Sequence, residues 1–79
     1  MDPPTARRVL RACEGLQDNP RPAGKRTKKL ADVEPPAYRL RVGDWRVLYR
    51  VHEPSRRVFI LRVVHRSELL SAVRRLPQE

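Results

Sequence analysis

This sequence predicts an α+β fold: one helix packed on a three-stranded antiparallel sheet, with a short helix at the C-terminal end. Three observations carry the prediction. Ala6, Val9, Leu10, Cys13 and Leu16 recur at helical spacing. Apolar and polar residues then alternate through most of Tyr38 to Val51, the period of half-buried strands, and a run rich in apolar residues follows from Val58 to Val64. Helical spacing returns in Leu69, Leu70, Val73 and Leu76.

The first helix opens at Asp2-Pro3-Pro4, where Asp2 caps free amides and proline suits the first turn. It ends near Gln17, because Asp18-Asn19-Pro20 and Pro22-Ala23-Gly24 are breakers. Cys13 lies on the apolar stripe and reads as packing rather than as a nucleophile. Lys25, Arg26, Lys28 and Lys29 form a basic cluster expected in a loop, where phosphate contact is the functional reading and a solvated loop the bland one. Pro35-Pro36 leads into the first strand.

In the hairpin, Tyr38, Leu40 and Val42 point one way, and Arg39 and Arg41 the other. Gly43-Asp44 fits a two-residue type II′ turn, with glycine first. Such a turn fixes the register, setting Arg41 opposite Arg46, Tyr38 opposite Tyr49 and Leu40 opposite Val47. Plain alternation in the third strand puts Phe59, Leu61 and Val63 on the apolar face. It puts Val58, Ile60, Arg62 and Val64 on the arginine face, with Arg66 continuing that parity. Ser67 is the expected cap of the last helix, whose stripe covers Leu48, Val58 and Ile60.

The chain has 79 residues, which fits one domain spanning 1–79. A core this small gives only about 3–5 kcal/mol of net stability, so a partner or self-association would support it. The 18 basic residues outweigh 9 acidic ones, for a formal charge of +9. All but Lys25, Lys28 and Lys29 are arginine, whose planar fork matches phosphate. Arg39, Arg41, Arg46, Arg50 and Arg62 gather on one sheet face without alternating acids, at a cost to stability that an anionic ligand explains. Long arginines splaying into water are the bland alternative.

One cysteine forbids an internal disulfide and suits a reduced, cytoplasmic setting. No apolar run approaches a membrane span, and no signal-peptide pattern opens the chain. His52 and His65 lack partners at metal-ligand spacing, and no glycine-rich phosphate loop is present, so no metal or cofactor is expected. Chemistry on a phosphate would fall to cations, with His65 for proton transfer.

Asn19 to Gly24, Lys28-Lys29-Leu30, the hairpin from Tyr38 to Tyr49, and Leu61-Arg62-Val63-Val64-His65-Arg66 together resemble the RelE/ParE toxin superfamily of bacterial type II toxin–antitoxin systems. The resemblance runs from the first helix to about Arg66. It implies a small antiparallel sheet flanked by helices and silencing by a cognate antitoxin protein. It also implies one of two activities: ribosome-dependent mRNA cleavage in RelE-type members, or poisoning of DNA gyrase in ParE-type members. The RelE-like endonuclease is the first reading, with growth inhibition as its outcome. A gyrase inhibitor, or a degenerate toxin that only binds its antitoxin, are the alternatives.

Arg39 and Arg41 fall where ribosome-dependent members carry two basic residues. Arg46 falls on the residue assigned to transition-state stabilisation, and Arg66 on the one that helps the leaving group. Lys25, Arg26, Lys28, Lys29, Arg50 and Arg62 are the expected nucleic-acid contacts. Leu48, Ile60, Leu69, Leu70 and Val73 are the expected antitoxin contacts.

This sequence departs from the family pattern in four places. Leu70 stands in the register of a common tyrosine. Arg39 stands where some members use lysine as a candidate base, and an arginine does not deprotonate. Val64 stands where glycine is common. The family usually begins with a strand and helix ahead of the helix seen here. The last departure predicts an unpaired sheet edge, open to an antitoxin strand or to a second copy in a homodimer.

Overall fold

The computed structural model describes residues 1–18, 27–52 and 54–76. Helix α1 spans Pro3–Asp18. Four strands follow: β1 (Thr27–Lys29), β2 (Tyr38–Val42), β3 (Trp45–His52) and β4 (Arg57–His65). A 3₁₀ turn at Arg66–Glu68 leads into helix α2 (Leu69–Arg74). The sheet is antiparallel in the order β1-β2-β3-β4. The α+β architecture is the expected one, with a fourth strand added. Thr27, Lys28 and Lys29 were expected in a loop and instead pair with Leu40, Arg39 and Tyr38.

At the start of α1, the backbone amide of Ala6 donates to the Asp2 carbonyl at 2.9 Å. The Asp2 carboxylate is held below its usual range by a hydrogen bond with the Thr5 side chain, as a helix-capping acid should be. Val9 and Leu16 are buried against the sheet, with Ala12 and Cys13 beside them. Leu10 belongs off the predicted stripe: it is exposed, because a residue directly after Val9 is turned about 100° around the helix. Half-burial raises the Cys13 thiol pKa above its ordinary value, consistent with a packing role.

Gly43 has φ +59°, while Asp44 is not among the positive-φ residues. One left-handed residue at the first turn position fits the type II′ turn. The β2–β3 register is the expected one: Tyr38 opposite Tyr49, Leu40 opposite Val47, Arg41 opposite Arg46. The Tyr38 and Tyr49 rings pack with centroids 5.5 Å apart.

Strand β4 departs from plain alternation. Leu48 pairs with Arg62, but Tyr49 pairs with Ile60, so Leu61 is an extra residue in β4. Such a bulge reverses the parity of everything beyond it. Val63 keeps its expected face, opposite Val47. Val58 and Ile60 belong instead to the α1 face, opposite Val51 and Tyr49, and Val58 packs into the cluster beneath α1. Leu61 joins the other cluster, and Phe59 lands opposite Arg50 on the arginine face.

The two sheet faces therefore carry two small cores. Beneath α1 lie Val9, Leu16, Leu40, Val42, Val47 and Tyr49. Beneath α2 lie Leu30, Val33, Ala37, Leu48, Ala72 and Leu76, with Leu61 and Val64 against them. Leu48 is fully buried at the centre of the arginine face, which corrects its expected place as an antitoxin contact. Helix α2 and the segment after β1 cover it, so the arginines lie around this plug rather than on an open sheet.

Truncating Leu48 to Ala should cost about 2–5 kcal/mol, enough to unfold much of a chain whose core supplies little more. Leu70→Ala, at a position 75% exposed, should change stability by less than about 0.5 kcal/mol. Urea denaturation followed by circular dichroism checks both.

Candidate functional site

Cross-strand pairing places the cations row by row. Lys28, Arg39, Leu48 and Arg62 form one row across all four strands. Arg41, Arg46 and Val64 form the next, toward the hairpin turn. Arg50 and Phe59 form a row on the far side of Leu48, and His52 and Arg57 one beyond it. Lys29, opposite Tyr38, lies on the α1 face and does not join this set. Lys25 and Arg26, with the Asn19–Gly24 segment, lie outside the described residues.

Arg46 sits at the focus of the hairpin end. Its Nη1 donates to the carbonyls of Gly43 at 2.9 Å and Trp45 at 3.0 Å. These bonds fold the guanidinium back over the turn. Its Nε is buried and has no hydrogen-bond partner. Burial lowers the Arg46 pKa, and the charges of Arg39, Arg41 and Arg66 lower it further, with Asp44 opposing. An arginine keeps its proton regardless. The direction agrees with the strand register, which sets Arg41 opposite Arg46 and Arg39 one row away, with Asp44 the carboxylate in the turn.

Arg66 reaches this cluster by a separate tether. Its backbone amide donates to the Asp44 carbonyl at 2.8 Å, joining the end of β4 to the hairpin turn. Its Nε lies 3.7 Å from Asp44 Oδ1, with both side chains about two-thirds exposed. An ion pair that exposed contributes little to stability. The amide bond is what positions Arg66.

His65 does not join the arginines. It pairs with Trp45 on the α1 face, and the two rings meet edge-on at 5.6 Å. Its Nδ1 accepts the Ser67 amide at 3.2 Å and lies 2.9 Å from the Ser67 hydroxyl oxygen. A backbone amide can only donate, so Nδ1 serves as the acceptor in this cap. His65, rather than Ser67, caps the 3₁₀ turn. That role engages Nδ1 at the end of β4.

Arg50 lies apart from Arg46 and donates from Nε to the Pro35 carbonyl at 3.3 Å. Arg62 is exposed on β4, which is the outer strand of the sheet. The expected antitoxin contacts are split by the sheet: Leu69 and Val73 pack partly into the α2 cluster, Leu70 is exposed on α2, and Ile60 is on the α1 face. Phe59 was expected on the apolar face and stands half-exposed among arginines. Only the bulge puts it there, and no residue type in the sequence marks that bulge.

A family model for the ParE toxin of type II toxin–antitoxin systems, parDE, matches residues 4–70. The chain belongs to this toxin family. The match spans α1, the whole sheet and the start of α2, which bears out the resemblance to the RelE/ParE superfamily. It also makes a cognate antitoxin the implied protein partner. No curated protein and no solved structure matches. Among the described residues no cluster of three potential metal ligands occurs, and no helix is long and apolar enough to cross a membrane.

Crowding of this kind has a measurable signature. Arg41→Gln removes one member of the like-charged Arg41–Arg46 pair and should stabilise the toxin by some tenths of a kcal/mol at low salt. The gain should vanish near 1 M salt, where the screening length falls to about 3 Å. Thermal melts at the two salt concentrations check it, and a loss of stability at both would show that Arg41 is not strained by its neighbours.

Proposed function

We propose that this toxin is a ribosome-dependent mRNA endonuclease acting in the cytoplasm. The gathering of Arg41, opposite Arg46, of Arg39 one row away, and of Arg66 tethered to the same hairpin turn carries the reading. A phosphodiester brings the negative charge that this cluster lacks. It would also supply an acceptor for cations whose bonding within the chain is incomplete.

In this mechanism the ribose 2′-hydroxyl attacks the adjacent phosphorus and the bond to the 5′ oxygen breaks. The products are a 2′,3′-cyclic phosphate and a free 5′-hydroxyl. Arg46, with Nη2 left outside its two intramolecular bonds, stabilises charge growing on the non-bridging oxygens. Arg66 stabilises the charge on the departing 5′ oxygen, which takes its proton from water or the ribosomal surroundings, and Arg39 and Arg41 hold the flanking backbone. The 2′-hydroxyl proton passes to water or to the ribosomal surroundings, because His65 is turned to the other face. The ribosome would orient the strand, a contribution that can replace a strong base.

The second reading is a gyrase inhibitor. Two observations favour it: the family description names ParE, and the tyrosine register holds an exposed Leu70. In either case the antitoxin would contact Leu70 on α2 and Ile60 on the α1 face, which requires it to wrap around β4. The outer edge of β4 suits an antitoxin strand better than a second copy, since two copies would bring +9 each to the same interface.

Purified, antitoxin-free toxin added to a reconstituted translation reaction should produce new mRNA 5′ ends within the A-site codon, and only with ribosomes present. Arg46→Ala should reduce the cutting by roughly 10²–10³-fold, the usual loss for one charge-stabilising donor, while leaving the circular dichroism spectrum unchanged. No cuts from a folded chain, together with loss of gyrase supercoiling, would establish the second reading.

A further inference from the structure

We infer that Phe59 is a nucleobase-stacking platform for single-stranded RNA on the outer strand of the sheet. The inference rests on the nucleic-acid reading above and extends it to a second contact point, away from the reacting phosphate.

The Leu61 bulge turns Phe59 from the α1 face to the arginine face. Burial there is incomplete, with 51% of the residue exposed. An aromatic ring left half in water costs stability that core placement would have recovered. Its surroundings are cationic rather than apolar. Arg50 stands directly opposite, Arg57 lies two residues away on the same strand face, and Arg62 continues β4 toward the hairpin end. A half-exposed ring with arginines at neighbouring positions on the same sheet face joins the two ingredients of single-strand recognition. The ring offers a π-face to a base, and the arginines follow the phosphates.

The position also fits the proposed cleavage site. Arg50 lies four residues along β3 from Arg46, about 13 Å at the usual rise, and Phe59 shares its row. Leu48, capped by α2, blocks the direct line between them. The exposed edge of β4, past Arg62, is the open route. A strand whose phosphate reaches Arg46 would place a neighbouring nucleotide, rather than the reacting one, at Phe59. Charge favours RNA over a purely apolar protein segment here.

The test uses a short single-stranded RNA carrying 2-aminopurine at successive positions, with 2′-O-methyl groups to block cleavage and without ribosomes. Wild-type toxin should quench the probe at one position beyond the site of Arg46. Phe59→Ala should weaken binding roughly ten-fold, within the range for loss of one base stack, and abolish the quench. Phe59→Tyr should retain both. The salt dependence of binding should be unchanged in each variant, because no cation is lost. An abasic nucleotide at the quenched position should remove the difference between wild type and Phe59→Ala.

Equal binding by wild type and Phe59→Ala overturns the inference. So does equal weakening on intact and abasic RNA, or weakening confined to the antitoxin, which would assign Phe59 to the protein partner. A wild type that does not bind this RNA overturns it as well, while the ribosome assay decides the cleavage reading separately. Conversely, stacking on free RNA without cleavage on ribosomes would leave Phe59 assigned and the endonuclease reading refuted.

Discussion

The two-residue turn at Gly43-Asp44 is the constraint on which the rest of the structure depends. A left-handed glycine at its first position matches the twist of the flanking strands, so β2 and β3 meet in one register. That register buries Leu40, Val47 and Tyr49 beneath α1 and sets Arg41 against Arg46. A slip by one residue would exchange the two faces, exposing the core and burying the arginines. The turn also supplies the Gly43 carbonyl that anchors Arg46 and the Asp44 carbonyl that anchors Arg66. Folding and the proposed phosphate site therefore use the same few backbone atoms.

Repulsion among the arginines opposes this arrangement, and the two cores hold it in place. The cluster beneath α1 fixes β2 and β3, and the cluster beneath α2 seats Leu48 and Val64 within the arginine rows. Placing the cations on a sheet keeps them converged in the absence of ligand. A phosphate bound as proposed would find them already assembled, at little further entropic cost.

Much of this was legible because strand alternation is a local signal. Tyr38 through Val51 alternate except at the turn and at Leu48, so the face of each arginine in β2 and β3 follows from the turn alone. The helical stripe of α1 was also legible, apart from Leu10, which an apolar residue type could not tell from Val9. What was not legible is non-local. The extra residue at Leu61 depends on how β4 meets β3, and its own apolar side chain fits either face. The errors at Val58, Phe59, Ile60 and Leu61 share that one cause. His65, a proton-transfer candidate by its place beside Arg66, faces the other way, because adjacent strand residues point to opposite faces. Lys28 gained a place on the arginine face because β1 is too short to stand out from a basic loop, and only pairing with β2 defines it.

The most direct test of the arginine site is a nuclear magnetic resonance titration of the toxin with a 2′-O-methylated dinucleotide, following the arginine Nε–H signals. Arg46 Nε, buried and unpaired in the free chain, should shift most, with Arg66 and Arg41 moving at the same ligand concentrations. Shifts confined to Arg56, Arg57 and Arg62, with Arg46 unmoved, would contradict a phosphate site at the hairpin.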